Sequence, residues 1–182
     1  GQPKDSSGHI LFGYTEWRDL EAACEYALNN GAKDIIIFGL SMGGGITLSF
    51  LYNSPLSKRI KAIILESPVL DFGKTVNLSA QKERVPGLNI PIPQLIVDMA
   101  KLMAQLRFAI PWKKINYIEK ADTLDIPILL FHGAGDRTIP VSTSDELAEK
   151  RPDLIFRYIR LEGIDHVQSW NYDPEAYTQH IE

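Results

Sequence analysis

Four short runs of aliphatic residues, Ile35 to Phe38, Ile60 to Leu65, Ile126 to Phe131 and Ile155 to Leu161, read as strands. The second and third are almost continuously apolar, the pattern of strands covered on both faces. Between and around them, apolar residues recur every three or four positions. That spacing predicts helices over Thr15 to Leu28, Met42 to Tyr52, Gln94 to Phe108, Ser144 to Lys150 and Pro174 to Ile181. The first has Thr15 as N-cap and Asn29-Asn30-Gly31 as its stop; the last has Pro174 in its first turn. Strands that alternate with helices need crossovers, and crossovers are right-handed, so a mainly parallel sheet is expected inside a three-layer α/β/α sandwich.

At 182 residues and 45% hydrophobic content, the chain is long enough to bury one sizeable core. The net charge of -4 argues against nucleic acid as a partner, and the basic clusters Lys58-Arg59-Lys61 and Lys113-Lys114 are short enough to be solvated surface. The lone Cys24 excludes an internal disulfide framework. No signal-peptide pattern opens the chain and no apolar run is long enough to span a bilayer. No His, Cys, Asp and Glu cluster has metal-ligand spacing and no glycine loop has a phosphate-cradling form, so neither metal nor cofactor is expected.

Candidate chemistry sits directly after three of the four strands. Gly39-Leu40-Ser41-Met42-Gly43 joins a strand to a helix, a tight turn that lifts a serine hydroxyl above the carboxyl end of a sheet, with flanking glycines expected where side chains would collide. Ser41 is thus the candidate nucleophile. Asp136 lies in the glycine-rich stretch His132 to Pro140 after the third strand, and His166 ends Gly163-Ile164-Asp165-His166 after the fourth. A serine hydroxyl attacks only when a neutral imidazole takes its proton, and the imidazole needs an acid to fix its tautomer. In that scheme His166 is the base, Asp136 orients it, and the backbone N–H of Met42 is one donor to the developing oxyanion. Glu66, at the end of the second strand, is the rival for the acid. Asp165 reads as a turn residue, His132 as a hydrogen-bonding residue that shapes the Asp136 loop, and His9 and His180 as surface residues.

The Gly-Leu-Ser-Met-Gly turn, the segment His132 to Pro140 and the loop histidine His166 together resemble the α/β-hydrolase superfamily, over a stretch from about Gly13 to the end. Within it, Gly13-Tyr14-Thr15-Glu16-Trp17-Arg18-Asp19-Leu20 and His166-Val167-Gln168-Ser169-Trp170-Asn171 are similar to hydrolases of the serine esterase or peptidase type. The resemblance implies a serine hydrolase that cleaves an ester, thioester or amide of a small acyl substrate through an acyl-enzyme. An acyltransferase is a variant of the same chemistry, and a dehalogenase is disfavoured because it needs a carboxylate in place of Ser41. Members of the family usually carry about four strands before the strand at 35–38, and a loop among them gives the second oxyanion N–H. Nothing in Gly1 to Tyr14 supplies these, so the chain reads as one hydrolase domain over 1–182, incomplete at its N-terminus and holding the last four strands of the pattern. The alternative is a non-catalytic binding module that lacks half the oxyanion hole. Either way, the strand at 35–38 is expected to be an apolar edge that pairs with an unseen N-terminal segment or with a second copy in a homodimer.

The stretch of about 71–125 corresponds to the place where the family inserts a cap. Ile96, Met99, Ala100, Leu102, Met103, Leu106 and Phe108 form a broad apolar face on one helix, opposite a polar stripe of Asp98, Lys101 and Gln105. It reads either as a lid that lines an apolar acyl pocket or as a helix packed on the sheet as core, with the balance toward core. Pro86, Pro91, Pro93 and Pro111 bracket it with stiff turns.

Overall fold

A computed structural model describes residues 10–182; His9 lies outside them. Helix α1 (Trp17–Asn29) leads to β1 (Ile35–Leu40), α2 (Met42–Asn53), β2 (Ile60–Glu66), α3 (Phe72–Lys82) and α4 (Gln94–Phe108). They are followed by β3 (Ile128–Gly133), α5 (Ser142–Lys150), β4 (Ile155–Leu161), α6 (Ser169–Tyr172) and α7 (Pro174–Ile181). The four strands form one parallel sheet in the order β1-β2-β3-β4. This is the α/β architecture that the alternating pattern predicts.

Every crossover steps the same way along the sheet, so right-handed connections put their helices on one face. That face carries the main core: Ile37, Ile63, Leu65, Ile128 and Leu130 pack with Leu48 and Phe50 of α2, Leu147 of α5 and Cys24 of α1. Each such side chain removed from water contributes about 1.5–3 kcal/mol. Among the described residues the opposite face is covered by α6 and α7, where Tyr177 of α7 meets Leu129 and Phe131. Beyond the reach of α7, the side chains of Ile36, Phe38 and Leu40 on β1 point the same way and are 61%, 47% and 44% exposed. β1 is also an edge strand, with no neighbour on its outer side among the described residues.

Three local expectations need correction. Thr15 does not cap α1; Glu16 occupies the N-cap position, and its carboxylate turns back to accept the N–H groups of Leu11 (2.5 Å) and Gly13 (2.9 Å). A longer side chain reaches donors that a threonine hydroxyl cannot. Helix α3 has no counterpart in the hydrophobic pattern, because Gly73, Thr75, Asn77 and Ser79 are weak helix formers; the Asp71 carboxylate, which accepts the Lys74 N–H at 3.0 Å, starts it.

The third correction concerns α4, which is not packed on the sheet. Val97 is its one buried residue, whereas Leu95, Ile96, Met99, Leu102, Met103 and Leu106 are each more than half exposed. Nor is Lys101 part of an outward polar stripe. Its ammonium donates to Gly73 O (2.9 Å) and Asn77 Oδ1 (2.7 Å) and so ties α4 to α3, and burial pushes its pKa down. None of the described helices is long and apolar enough to cross a membrane.

Candidate active site

The turn after β1 puts Ser41 at φ 51° and ψ -118°, a left-handed value of φ that few non-glycine residues adopt. Three backbone hydrogen bonds hold it there: the Ser41 N–H donates to Glu66 O (2.9 Å), and its carbonyl accepts from Gly44 (3.0 Å) and Val69 (2.9 Å). The strain is thereby fixed by β2 and the chain beyond it. Of the two flanking glycines, only Gly39 is sterically required; a Cβ there would sit 2.8 Å from Thr47 Oγ1 and 2.9 Å from Gly43 O. At Gly43 the space is open. The crowding falls one residue later, where a Cβ on Gly44 would stand 2.4 Å from Pro68 Cβ.

The structure brings Ser41, His166 and Asp136 together. His166 Nδ1 lies 2.8 Å from Asp136 Oδ2, and His166 Nε2 lies 2.9 Å from Ser41 Oγ. A carboxylate can only accept, so Nδ1 carries the proton and donates it, which leaves the Nε2 lone pair to accept the Ser41 hydroxyl. Asp136 is buried, and its second oxygen accepts the N–H groups of Thr138 and Ile139, both at 2.8 Å. Burial pushes its carboxyl pKa up, but the hydrogen bonds from His132, His166, Ile139 and Thr138 outweigh it and hold the group well below the usual carboxylate range. Asp136 therefore stays charged and an acceptor.

His132 supports this carboxylate from beneath. It is fully buried, with Nε2 at 3.3 Å from both Ile139 O and Asp136 Oδ2, and Nδ1 at 2.7 Å from Ser144 Oγ. Two acceptors face Nε2, so that nitrogen bears the proton and Nδ1 accepts from the Ser144 hydroxyl. Ser144 has no signal of its own in the sequence; only the fold carries the first turn of α5 to this ring.

Glu66 does not reach His166. It is buried and accepts from the Tyr177 hydroxyl (2.7 Å) and the Ser169 N–H (3.1 Å), which anchors α6 and α7 to the sheet. Asp165 accepts from the backbone N–H groups of Arg137 (2.9 Å) and His166 (2.8 Å) and pairs with the Arg137 guanidinium. These contacts, the Arg137 N–H first, lower its pKa to about 2. Asp165 thus links the two loops that present Asp136 and His166. Ser67, at φ 44°, adds a link from β2, its hydroxyl accepting the Val167 N–H at 3.3 Å. His180 lies on α7 beside Arg157, with Nδ1 2.6 Å from that guanidinium.

Met42 is the first residue of α2. Its N–H, in the first turn, has no acceptor inside the helix. Among the described residues no group of His, Cys, Asp and Glu could hold a metal ion. A cavity of about 420 Å³ lies between α3 and α4, lined almost wholly by apolar side chains that include Phe12, Phe72, Val76, Val97 and Trp112. Phe12, Phe72 and Trp112 stack in sequence along one wall.

No family model matches the sequence, and no curated protein matches it. Solved structures do. The chain is similar to an esterase of Pyrococcus furiosus, at 18% identity and a TM-score of 0.66, over 95% of this chain and 62% of the esterase. It is also similar to an alpha/beta hydrolase from the metagenome of lagoon sediments at Mar Chica, Morocco (17% identity, TM-score 0.56, 91% of this chain and 65% of that one). A third is the Pyrococcus horikoshii acylaminoacyl peptidase (18% identity, TM-score 0.62), matched over 92% of this chain and 26% of the peptidase. The chain has the α/β-hydrolase fold, and it spans less than two thirds of the length of these three structures.

Proposed function

We propose that the protein is a serine hydrolase that cleaves an ester, thioester or amide through an acyl-enzyme. The observation that carries this reading is the continuous hydrogen-bonded line from Ser41 Oγ through His166 to Asp136, with 2.9 Å and 2.8 Å links. Ser41 attacks the acyl carbon as His166 Nε2 takes its proton, and Asp136 stabilises the imidazolium that forms. The Met42 N–H faces the developing oxyanion. His166 then returns the proton to the leaving alcohol, thiol or amine, and water repeats the sequence to release the acid. The esterase and peptidase among the similar structures accord with this class of reaction.

In this reading 71–125 acts as a cap, and the cavity between α3 and α4 receives an apolar acyl or alkyl group. Two features support it. α4 stands away from the sheet, and Phe72 on the cavity wall lies three residues beyond Val69, whose N–H holds the Ser41 carbonyl. The outer edge of β1, unpaired among the described residues, ends at the same turn, and in this reading a strand added there, from a further segment or a second copy, supplies the second oxyanion donor.

The test is hydrolysis of p-nitrophenyl acetate and longer p-nitrophenyl esters by the wild type, Ser41→Ala and His166→Ala. Each substitution is expected to lower kcat by about 10⁴-fold or more with the fold unchanged. Turnover near wild type in either variant contradicts the assignment. A folded wild-type chain with no turnover on any ester favours the binding-module alternative, to which the edge of β1, unpaired among the described residues, lends support.

A further inference from the structure

A second pocket, of about 540 Å³, lies at the opposite end of α2 from Ser41 and has no part in the chemistry above. Ser49, Tyr52 and Asn53 form its α2 wall, about two to three turns along the helix from the nucleophile. Its remaining walls come from the start of α1 and from the chain after α4. Part of the motif Tyr14 to Leu20, which the hydrolase reading leaves unused, is spent here.

Three cation–ring pairs shape the pocket, and all six members line it. The Arg18 guanidinium stands 4.8 Å from the Trp17 ring, Lys114 Nζ 5.1 Å from the Tyr14 ring, and Lys120 Nζ 6.0 Å from the Tyr52 ring. None of the three cations forms a salt bridge among the described residues, and no carboxylate lines the cavity. The nearby carboxylates bond to other groups and not to these cations: Glu16 holds the backbone N–H groups of Leu11 and Gly13, Glu119 accepts from Asn116, and Asp122 pairs with Lys150. Three cations without a direct ion-pair partner around one concavity favour a doubly charged anion, and the aromatic walls favour a flat ring beside it. The volume falls within the range of small-molecule sites.

We infer that this pocket binds the phosphate monoester of a planar aromatic group, with the phosphate among Arg18, Lys114 and Lys120 and the ring against Tyr14, Trp17 and Tyr52. The exposed basic residue Lys114 then serves a ligand site as well as the solvated surface.

Isothermal titration of the Ser41→Ala protein with phenyl phosphate tests this without turnover. Saturable binding at one site per chain is expected, with inorganic phosphate and phenol each weaker by about tenfold or more. In Arg18→Gln/Lys120→Gln, and separately in Lys114→Gln, affinity falls by a similar factor, while Lys58→Gln/Lys61→Gln on another surface binds as the parent does. Both sets change exposed side chains, and matched thermal midpoints show that they fold. Phenyl phosphate that fails to saturate below about 10 mM, inorganic phosphate that binds as tightly, or affinity indifferent to the pocket substitutions would each overturn the inference.

Discussion

β3 and β1 each present part of the candidate site, yet the chain holds them in different ways. All six residues of β3 are buried, and the loop beyond it is locked by His132, Ser144 and the Asp136 carboxylate. β1 lies at the sheet edge with Ile36, Phe38 and Leu40 open to water, and its end, at Ser41, is held by backbone hydrogen bonds to the β2 side. Asp136 therefore sits in a self-contained half of the molecule. Ser41 sits on a half whose apolar surface is only partly used by the described residues. Precise placement of a side chain requires a fixed backbone beneath it, and three hydrogen bonds supply that for Ser41 even where the flanking surface is open.

The largest expected effect strikes the buried half. Asp136→Asn leaves the shape nearly unchanged but lets His166 adopt the wrong tautomer, and ester turnover should fall by about 10⁴-fold. The same substitution reports on pH. Asp136 stays ionised in the folded chain below its ordinary value of about 3.9, whereas the unfolded chain takes up a proton there. Its stabilisation is thus present above that pH and is lost as pH falls. Urea unfolding at pH 6 and pH 3 should show the gap between wild type and Asp136→Asn narrowing on acidification; a constant gap would mean the carboxyl titrates normally.

The two halves are set against each other directly by truncating one apolar residue in each. Leu130→Ala should cost about 2–5 kcal/mol, and Phe38→Ala, on the open face, no more than about 0.5 kcal/mol in the same unfolding assay. Equal losses would show that β1 is covered after all. The smallest effect divides the glycines of the serine turn. Gly44→Ala meets Pro68 and should destabilise by about 1–3 kcal/mol, whereas Gly43→Ala enters open space within α2 and should stabilise by about 0.5–1 kcal/mol.

The strands and most helices were legible because burial imposes a period on the chain: α4 and α7 begin and end where the hydrophobic pattern and Pro174 place them. The loop positions of Ser41, Asp136 and His166 were legible for the same reason, each directly following a strand. What periodicity cannot convey is which surface a face meets. The apolar pattern of α4 leans toward core, and only the fold shows it standing off the sheet. Supporting residues were harder still. Ser144 and Ser67 act through contacts 12 and 100 residues away in sequence, and a lone serine carries no pattern that reveals this.

The most direct test of the central claim is reaction with a fluorophosphonate followed by intact-mass measurement, because the reagent needs an activated serine and an oxyanion site but no particular substrate. A single adduct on the wild type, absent from Ser41→Ala and strongly slowed in Asp136→Asn, is the predicted result. A folded wild-type chain without an adduct, or an adduct that persists in Ser41→Ala, would contradict it.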